Sequence, residues 1–471
     1  MIDTSTDPQV GYRPAGSLDT STALDPYAGP FSRRLAAHLM RRFGFGGSPA
    51  QIDALAALDP RTAVDRTIHP TVPELAFADF PETDALYDKV GKARYAAIAW
   101  WLDRMLRTQR PYDEKLALFW HGHFATSMLK APAPLMVAQI DLFRRYGSGD
   151  FRPLLAAVVR DPAMLIWLDN RSNTKAHPNK NFAREVMELF TLGLGQYTED
   201  DVHAAARAFT GWGLAPEKVA TFRPQLHDDG EKTLLGHTGN LGADGAIAAM
   251  VASPAHPRFL ARKLLEFYVY SDPEPALVDA LAQRYVTSGY NVGKTVGTIA
   301  RSNVFFSPRA YRALPKSPVE FVIGSLRFAG IDTVPKDTQR WLKLMGQTPL
   351  EPPSVKGWDG GPTWINTATL LARFNYTNGL IRTARTGAGA PTYTPDAVTH
   401  EAGGFDASRV LAVLSRDALQ DDVPSAARAS LIAFLDARGA AAPDPLGIEN
   451  YQDRVRAALA LVLNLPANQL G

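Results

Sequence analysis

The sequence has no cysteine, and this absence excludes several kinds of site at once. Without a thiol the chain forms no disulfide, no thiolate metal site and no cysteine-ligated iron–sulfur cluster, and it has no cysteine nucleophile. Covalent haem attachment through C-x-x-C-H is excluded as well, whereas a non-covalent haem with one of the ten histidines as axial ligand stays open. The compartment also stays open, because a chain without thiols is stable in oxidising and reducing environments.

Long apolar runs and an excess of charge are also missing. No apolar stretch reaches the ~18 residues that a membrane-spanning helix needs, so no membrane span is expected. The 50 basic residues are balanced by 48 acidic ones, and a net charge of +2 gives no electrostatic basis for binding nucleic acid. The first residues contain no basic segment followed by an apolar one, so no secretory leader is predicted. A cytoplasmic protein is expected, unless a leader has been removed or a partner carries the chain out.

The residues that are present predict a soluble, mainly α-helical protein. Hydrophobic residues make up 46% of the chain and charged residues 21%, as in ordinary folded proteins. Capped segments with a 3.6-residue period follow one another from Ser32 to Leu465. Because 471 residues exceed the roughly 250–300 residues of a single core, we expect one large multi-helical domain or two closely packed helical lobes. Alternating strand patterns are scarce, and one small β-hairpin is predicted near 218–236.

Composition divides the chain into three expected parts. Residues 1–30 are rich in Pro, Gly, Ser, Thr and Asp, which predicts an irregular or disordered arm. Residues 31–385 should form the helical main body, and 386–471 a linker followed by a C-terminal helical cap. The loop 350–366 contains Trp358 and Trp364, and we expect it to pack on the body with one of these side chains largely buried.

The segment FWHGHFATS, residues 119–127, places His121 and His123 one residue apart in an aromatic run. Residues i and i+2 of a helix differ by about 200° of rotation, so the two imidazoles share one pocket only if the helix breaks between them. Gly122 permits such a break. The alternatives are that the pair binds a metal ion, or that each imidazole bonds a backbone carbonyl within a packed aromatic layer.

A second polar pattern lies in NKNFAREVMELFTLG, residues 179–193. Glu185 and Glu188 are i,i+3 neighbours, which is close enough for both carboxylates to bind one cation. Arg184 and Glu188 have the i,i+4 spacing of a helical ion pair, worth only a few tenths of a kcal/mol. The alternative is therefore an ordinary amphipathic helix with no ligand.

A third pattern, HDDGEKTLLGHTG, begins at residue 227. His227 offers a nitrogen ligand and Asp228 an oxygen ligand in a predicted turn. Burying one such group without a partner costs several kcal/mol, so three separate uncompensated burials are implausible. We therefore expect at least one imidazole of the HGH segment to converge with Glu185 and His227 on a single buried polar site.

These segments resemble a known family. EKLALFWHGHFATS, PNKNFAREVMELFTLGLGQYTEDDVHAAARAFTGW, HDDGEKTLLG and FLARKLLEFYV resemble the bacterial family catalogued as domain of unknown function 1800, from about residue 33 to about residue 465. The resemblance implies a predominantly helical fold and no established reaction. It also implies a partner, because members are often encoded beside a sulfatase-like family with twin-arginine leaders, and with it a periplasmic or exported location. Where the family has Pro-Asn-Glu-Asn, this chain has Lys180 in place of the Glu, so position 180 is left out of the site.

Two functions are expected from the residues and the resemblance together. The first is a metal-dependent enzyme, hydrolytic or oxidative, that binds Zn, Fe or Mn. Its predicted metal ligands are His121, His123, Glu185, His227 and Asp228. Glu188 would act as general base, with Arg184 orienting it or the substrate. The alternative is a non-enzymatic binding or scaffolding partner of a sulfatase-like exported protein, in which the polar cluster is a structural hydrogen-bond network.

Overall fold

The computed structural model of the chain describes residues 19–81, 90–216, 218–383, 392–436 and 451–471. Residues 1–18 of the expected N-terminal arm lie outside this range. Residues 19–30 contact the body: Ala23 and Leu24 are buried, and the amide of Val304 donates a hydrogen bond to the carbonyl of Ala23 at 2.9 Å.

Helices dominate the described residues, as the sequence predicts. The 21 α-helices of this part are α1 Arg33–Arg42, α2 Pro49–Ala56, α3 Pro60–Ile68, α4 Val90–Arg107, α5 Pro111–His123, α6 Ala133–Tyr146, α7 Phe151–Val159, α8 Pro162–Trp167, α9 Lys180–Glu185, α10 Glu199–Ala208, α11 Ala243–Ala252, α12 Ala255–Tyr268, α13 Pro275–Thr287, α14 Val292–Arg301, α15 Pro318–Ala329, α16 Thr338–Leu344, α17 Thr367–Thr383, α18 Pro395–Glu401, α19 Ala407–Leu419, α20 Ser425–Asp436 and α21 Tyr451–Leu463. None of the helices found in the described ranges is both long enough and apolar enough to cross a membrane.

The strand content is small and lies where the hairpin was predicted. Strand β1, Trp212–Leu214, pairs antiparallel with β2, Ala220–Phe222. Strand β3, Lys232–Leu234, pairs antiparallel with β4, His237–Gly239. The prediction of a mainly α fold with a small hairpin is confirmed, although the range 218–236 contains one strand from each of two hairpins.

Local sequence explains where several helices begin. Ser48, Thr198 and Ser317 each accept a hydrogen bond from the third residue of their helix, whose side chain bonds back to the cap. This reciprocal arrangement satisfies two amide groups that a helix start leaves without partners. Helices α2 and α15 begin with proline, whose fixed φ angle already suits the first helical position.

The buried side chains form two hydrophobic clusters. The larger cluster extends from Ala23 to Leu380 and includes α5 and its neighbours. The smaller one is formed by residues of α18 to α21, together with Phe328 and Ile381. The two clusters meet across a polar layer, in which Arg33 pairs with Asp417 and Arg312 pairs with Asp422.

Two irregular elements lie beside α5. A seven-residue π-helix, Val186–Leu192, continues α9 without interruption and ends at Gly193, whose φ is +87°. The loop 350–366 contains a short 3₁₀ helix, Gly361–Trp364. Trp364 is only 8% exposed, which confirms that this loop packs on the body.

Candidate functional site

The two histidines of the HGH segment have different partners, because the helix does not break between them. Helix α5 continues through Gly122 and includes His123. Nε2 of His121 accepts a hydrogen bond from the amide of Leu350 at 3.0 Å. Nε2 of His123 lies 3.0 Å from the carbonyl oxygen of Phe190. His121 therefore binds the loop 350–366, whereas His123 binds the π-helix.

These hydrogen bonds determine which ring nitrogen carries the proton. Burial lowers the pKa of both His121 and His123 to about 3, so both imidazoles are neutral near pH 7. His121 accepts a hydrogen bond at Nε2, so its proton is on Nδ1 and its lone pair is occupied. His123 donates from Nε2 to a carbonyl, which leaves the lone pair on Nδ1, an enclosed atom without a hydrogen-bond partner among the described residues.

His227 and Asp228 form a braced turn beside the first hairpin. Nδ1 of His227 lies 3.0 Å from the carbonyl oxygen of Thr210, to which it donates. Arg207 donates to both carboxylate oxygens of Asp228, at 2.6 and 3.0 Å, and Gly230 donates its amide at 2.9 Å. The bonds from Arg207 are the main reason that the pKa of Asp228 is lowered to about 2. Both oxygens of Asp228 therefore already have strong donors.

Arg184 does not form the predicted ion pair with Glu188, although its charge still acts on Glu185. Arg184 forms a two-pronged ion pair with Glu199, at 2.7 and 3.0 Å, and not with Glu188. Glu188 instead accepts a hydrogen bond from the hydroxyl of Tyr197 at 2.7 Å. Glu185 is half-buried, and burial followed by the nearby charge of Glu188 raises its pKa. The two carboxylates are thus close enough to influence each other, as their spacing predicts.

The five predicted metal ligands do not gather around one point in this arrangement. Within the described ranges, no group of three or more His, Asp or Glu side chains could hold a metal ion. The lone pair of His121 and both oxygens of Asp228 are engaged by protein donors. The residues therefore do not fit a shared metal centre in this conformation, and metal binding by the chain stays a prediction.

The π-helix is held from outside by two imidazoles. His123 donates to the carbonyl of Phe190, and Nδ1 of His256 lies 3.1 Å from the carbonyl of Thr191. Inside the element, the hydroxyl of Thr191 donates to the carbonyl of Val186 at 2.7 Å. A π-helix is rare because its wide turn bonds less well than an α-turn, and such elements occur frequently at functional sites. These side-chain donors compensate for that weakness at its C-terminal end.

A cleft of about 650 Å³ opens between the π-helix, α12 and the loop 350–366. Its aromatic lining consists of Phe119, Phe259, Phe267, Trp358 and Trp364. Its polar lining includes His123, Glu188, Lys263, Glu266, Lys356 and Asp359. Apolar walls with a few polar groups are typical of sites that bind small organic molecules.

The HGH helix joins the two walls of this cleft. On one side His121 fixes Leu350, the first residue of the loop. Further along the loop, Gly357 lies so close to α5 that a Cβ atom there would be 2.5 Å from the carbonyl oxygen of Gly122. On the other side His123 fixes the π-helix through Phe190. The position of Glu188 relative to the loop therefore depends on α5.

The titratable groups of the cleft differ in their surroundings. Burial raises the pKa of Glu266, while the positive charges of Lys263 and Arg262 oppose the rise. Burial and the hydrogen bond to Glu188 raise the pKa of Tyr197 to about 12, so its hydroxyl stays protonated and donates. The cleft thus contains one carboxyl that accepts a hydrogen bond from a hydroxyl and a second carboxyl whose pKa is raised.

Several lining residues were not predicted as site residues. Phe259, Lys263 and Glu266 lie at i, i+4 and i+7 of α12, which places them on one face of that helix. Their segment contributes to the family resemblance, but a lysine and a glutamate at helical spacing look like an ordinary solvated face. Lys356 and Asp359 lie in the loop whose tryptophans were noted. The spacing in α12 was the only sequence signal that pointed to this wall.

The family assignment follows from the match along the chain. The family model described as protein of unknown function (DUF1800) matches residues 38–470, which includes every residue of the cleft. The chain belongs to this family. No curated protein and no solved structure matches it. Family membership agrees with the resemblance noted in the sequence and assigns no reaction.

Proposed function

We propose that the chain is a hydrolytic enzyme whose active site is the cleft between the π-helix, α12 and the loop 350–366, with Glu188 as general base. The observation that carries this proposal is the position of Glu188, which lines a cleft with aromatic walls and accepts a hydrogen bond from Tyr197. The substrate is an organic molecule with a flat or apolar part that packs against the rings of Trp358 and Phe259.

The roles follow from the surroundings of each group. Glu188 takes a proton from the attacking water, and the Tyr197 hydroxyl holds the carboxylate in a fixed orientation. Glu266, whose pKa burial raises, donates a proton to the leaving group. Lys263 lies on the same wall and offsets negative charge that develops on the substrate.

A metal ion is not part of these steps. The sequence predicts Zn, Fe or Mn, and Glu185 and Glu188 are the neighbouring carboxylates available to such an ion in this arrangement. His121 would need to give up its hydrogen bond from the amide of Leu350 first, whereas His123 and His227 donate to carbonyls from one ring nitrogen and would bind a metal through the other. Adding Zn²⁺, Fe²⁺ or Mn²⁺ to the assay described next tests this part separately.

Glu188→Gln tests the proposal, with Glu199→Gln as the matched control outside the cleft. The full chain is assayed against p-nitrophenyl acetate, p-nitrophenyl phosphate, p-nitrophenyl sulfate and p-nitrophenyl glycosides. General-base catalysis contributes about 10²–10⁴-fold, so we expect Glu188→Gln to lose that much of the hydrolysis and Glu199→Gln to keep it. Equal rates in wild type and Glu188→Gln would exclude Glu188 as the base, and no hydrolysis of any compound would count against a hydrolase.

One observation favours the alternative, binding of a sulfatase-like partner. Leu194 lines the mouth of the cleft and is 78% exposed, between glycines at positions 193 and 195 that both have positive φ. In this alternative the side chain of Leu194 inserts into an apolar pocket of the partner. In this alternative Leu194→Asp abolishes a complex with the sulfatase-like protein, and Glu188→Gln leaves that complex intact.

A further inference from the structure

A second, smaller cavity lies in the polar layer between the two hydrophobic clusters. Its volume is about 50 Å³. Polar side chains from both sides line it, namely Arg41, Lys316, Glu320, Asp417, Gln420 and Asn468. A cavity needs at least ~10–15 Å³ measured in this way to hold one water, so this one has room for more than one water or for one small ion.

The cations at this cavity are bonded to neutral amides. Nη1 of Arg41 donates to Oε1 of Gln420 at 2.7 Å, and Nη2 of Arg312 donates to the same oxygen at 3.2 Å. Nζ of Lys316 donates to Oδ1 of Asn468 at 3.0 Å. The other two guanidinium nitrogens of Arg41, Nε and Nη2, are enclosed and have no hydrogen-bond partner among the described residues. Donor capacity and positive charge are therefore left over at the cavity.

The carboxylates that line the cavity are already engaged elsewhere. Glu320 forms an ion pair with Lys115. Asp417 pairs with Arg33 at 2.9 Å and accepts a hydrogen bond from the hydroxyl of Tyr393 at 3.1 Å. Among the ion pairs of the described residues, none includes Arg41 or Lys316.

The positive charges repel one another in this enclosed place. Burial, followed by the charges of Arg41 and Arg312, holds the pKa of Lys316 well below its usual range. Burial also lowers the pKa of Arg41 to about 10, with Arg312 adding to the effect. Asp422 and Tyr311 offset part of the charge of Arg41, and Glu320 offsets part of the charge of Lys316. A bound anion would in addition accept hydrogen bonds from the two nitrogens of Arg41 that have no partner.

We propose that this cavity binds a small oxyanion of the phosphate or sulfate type, which pairs with Arg41 and Lys316. Three or four oxygens accept the free donors of Arg41, and charge-assisted bonds of this kind are about twice as strong as neutral ones. Arg41 and Lys316 belong to the main body, whereas Gln420 and Asn468 belong to the C-terminal helical part. The anion thereby joins the two parts of the molecule.

The test is thermal unfolding of the full chain at increasing concentrations of phosphate. Ionic strength is held constant with sodium gluconate, whose anion is too large for the cavity. A ligand that binds only the folded state stabilises it in proportion to the logarithm of its concentration above Kd, so the unfolding midpoint should rise with phosphate. A midpoint that does not respond to phosphate or to sulfate would overturn the proposal, and water would then be the occupant.

Gln420→Glu locates the site without removing a cation. The new carboxylate takes the place of an acceptor that already bonds Arg41 and Arg312, so it supplies the missing negative charge. We expect a higher midpoint without phosphate and a smaller response to phosphate than in wild type. Gln283→Glu, at an exposed position of α13, is the matched control and should keep the full response. An undiminished response in Gln420→Glu would place the anion elsewhere and refute the assignment.

Discussion

His121 accepts a single hydrogen bond, from the amide of Leu350, and the loss of this bond should lower the stability of the fold. In His121→Leu the amide of Leu350 loses its acceptor in a buried place, whereas Gln can place its Oε1 near the position of Nε2. A buried donor without a partner costs about 1–3 kcal/mol. We expect the free energy of unfolding of His121→Leu, measured by urea denaturation, to be lower than that of His121→Gln by at least that much. Equal stability of the two variants would show that the hydrogen bond is unimportant.

The buried imidazoles also make stability depend on pH. His121 and His123 have pKa values lowered to about 3 and His256 to about 4, against 6.5 in the unfolded chain. Above pH 6.5 all three are neutral in both states and contribute no pH dependence. As the pH falls below 6.5, only the unfolded chain takes up protons, so stability is lost, by about 1.4 kcal/mol per pH unit for each histidine.

Urea denaturation between pH 7 and pH 5 measures this loss. In His121→Gln one of the three groups is gone, so the slope should be shallower by about 1.4 kcal/mol per pH unit. An unchanged slope in that variant would mean that His121 is accessible to protons in the folded state.

The loop 350–366 depends on one glycine for its approach to α5. Gly357 has φ +80°, and a Cβ atom there would lie 2.5 Å from the carbonyl of Gly122. Gly361 has φ +54°, but a Cβ atom there meets nothing within 4 Å. A non-glycine residue in the left-handed region costs about 1–2 kcal/mol. Gly361→Ala should therefore cost only about that much, and Gly357→Ala distinctly more, in thermal unfolding. Similar costs for both would mean that the loop moves away from α5 easily.

The elements show which parts of the fold a sequence reveals. Helix starts at Ser48, Thr198 and Ser317 depend on neighbours three residues away, so the local sequence contains the signal for them. The π-helix has the same apolar pattern as an α-helix, and nothing local distinguishes them. The i,i+4 pairing of Arg184 with Glu188 assumed α-geometry across position 186, where the wider turn begins. The pairing failed for that reason.

The candidate site was predicted only in part, because its partners are distant in sequence. Glu188 was identified from its spacing, and it does line the cleft. At least one imidazole of the HGH segment was expected to converge with Glu185 and His227, with a bond from each imidazole to a backbone carbonyl as the alternative. The hydrogen-bond partners of His121 and His123 are main-chain groups of Leu350 and Phe190, 229 and 67 residues away. Every residue has the same main-chain amide and carbonyl groups, so the sequence does not show which of them a histidine will bond. Tertiary packing determines these partners.

The two hydrophobic clusters are held together by charged groups of very different burial. Arg312, with a side chain 6% exposed, donates to Asp422 at 2.8 Å and to the carbonyl of Leu419 at 3.0 Å. Arg34, 41% exposed, pairs with the same Asp422 at 2.7 Å. Breaking a buried pair costs about 3–5 kcal/mol, and an exposed pair about 0–1 kcal/mol.

Arg312→Met should therefore loosen the C-terminal helices, while Arg34→Met should not. Limited proteolysis followed by mass spectrometry is expected to show faster cleavage after residue 392 in Arg312→Met alone. Equal resistance of both variants to protease would mean that apolar contacts, such as those of Phe328, hold the two parts together.

Because α5 bonds both the loop 350–366 and the π-helix, this helix sets the distance between these two walls of the cleft. An α-helix has a fixed diameter of about 10–12 Å with its side chains, and it resists compression. Between these two contacts α5 contains Gly122, where an added Cβ atom would meet no neighbouring atom within 4 Å. Substitutions of the side chains that line the cleft should therefore change its volume without changing the distance between the loop and the π-helix.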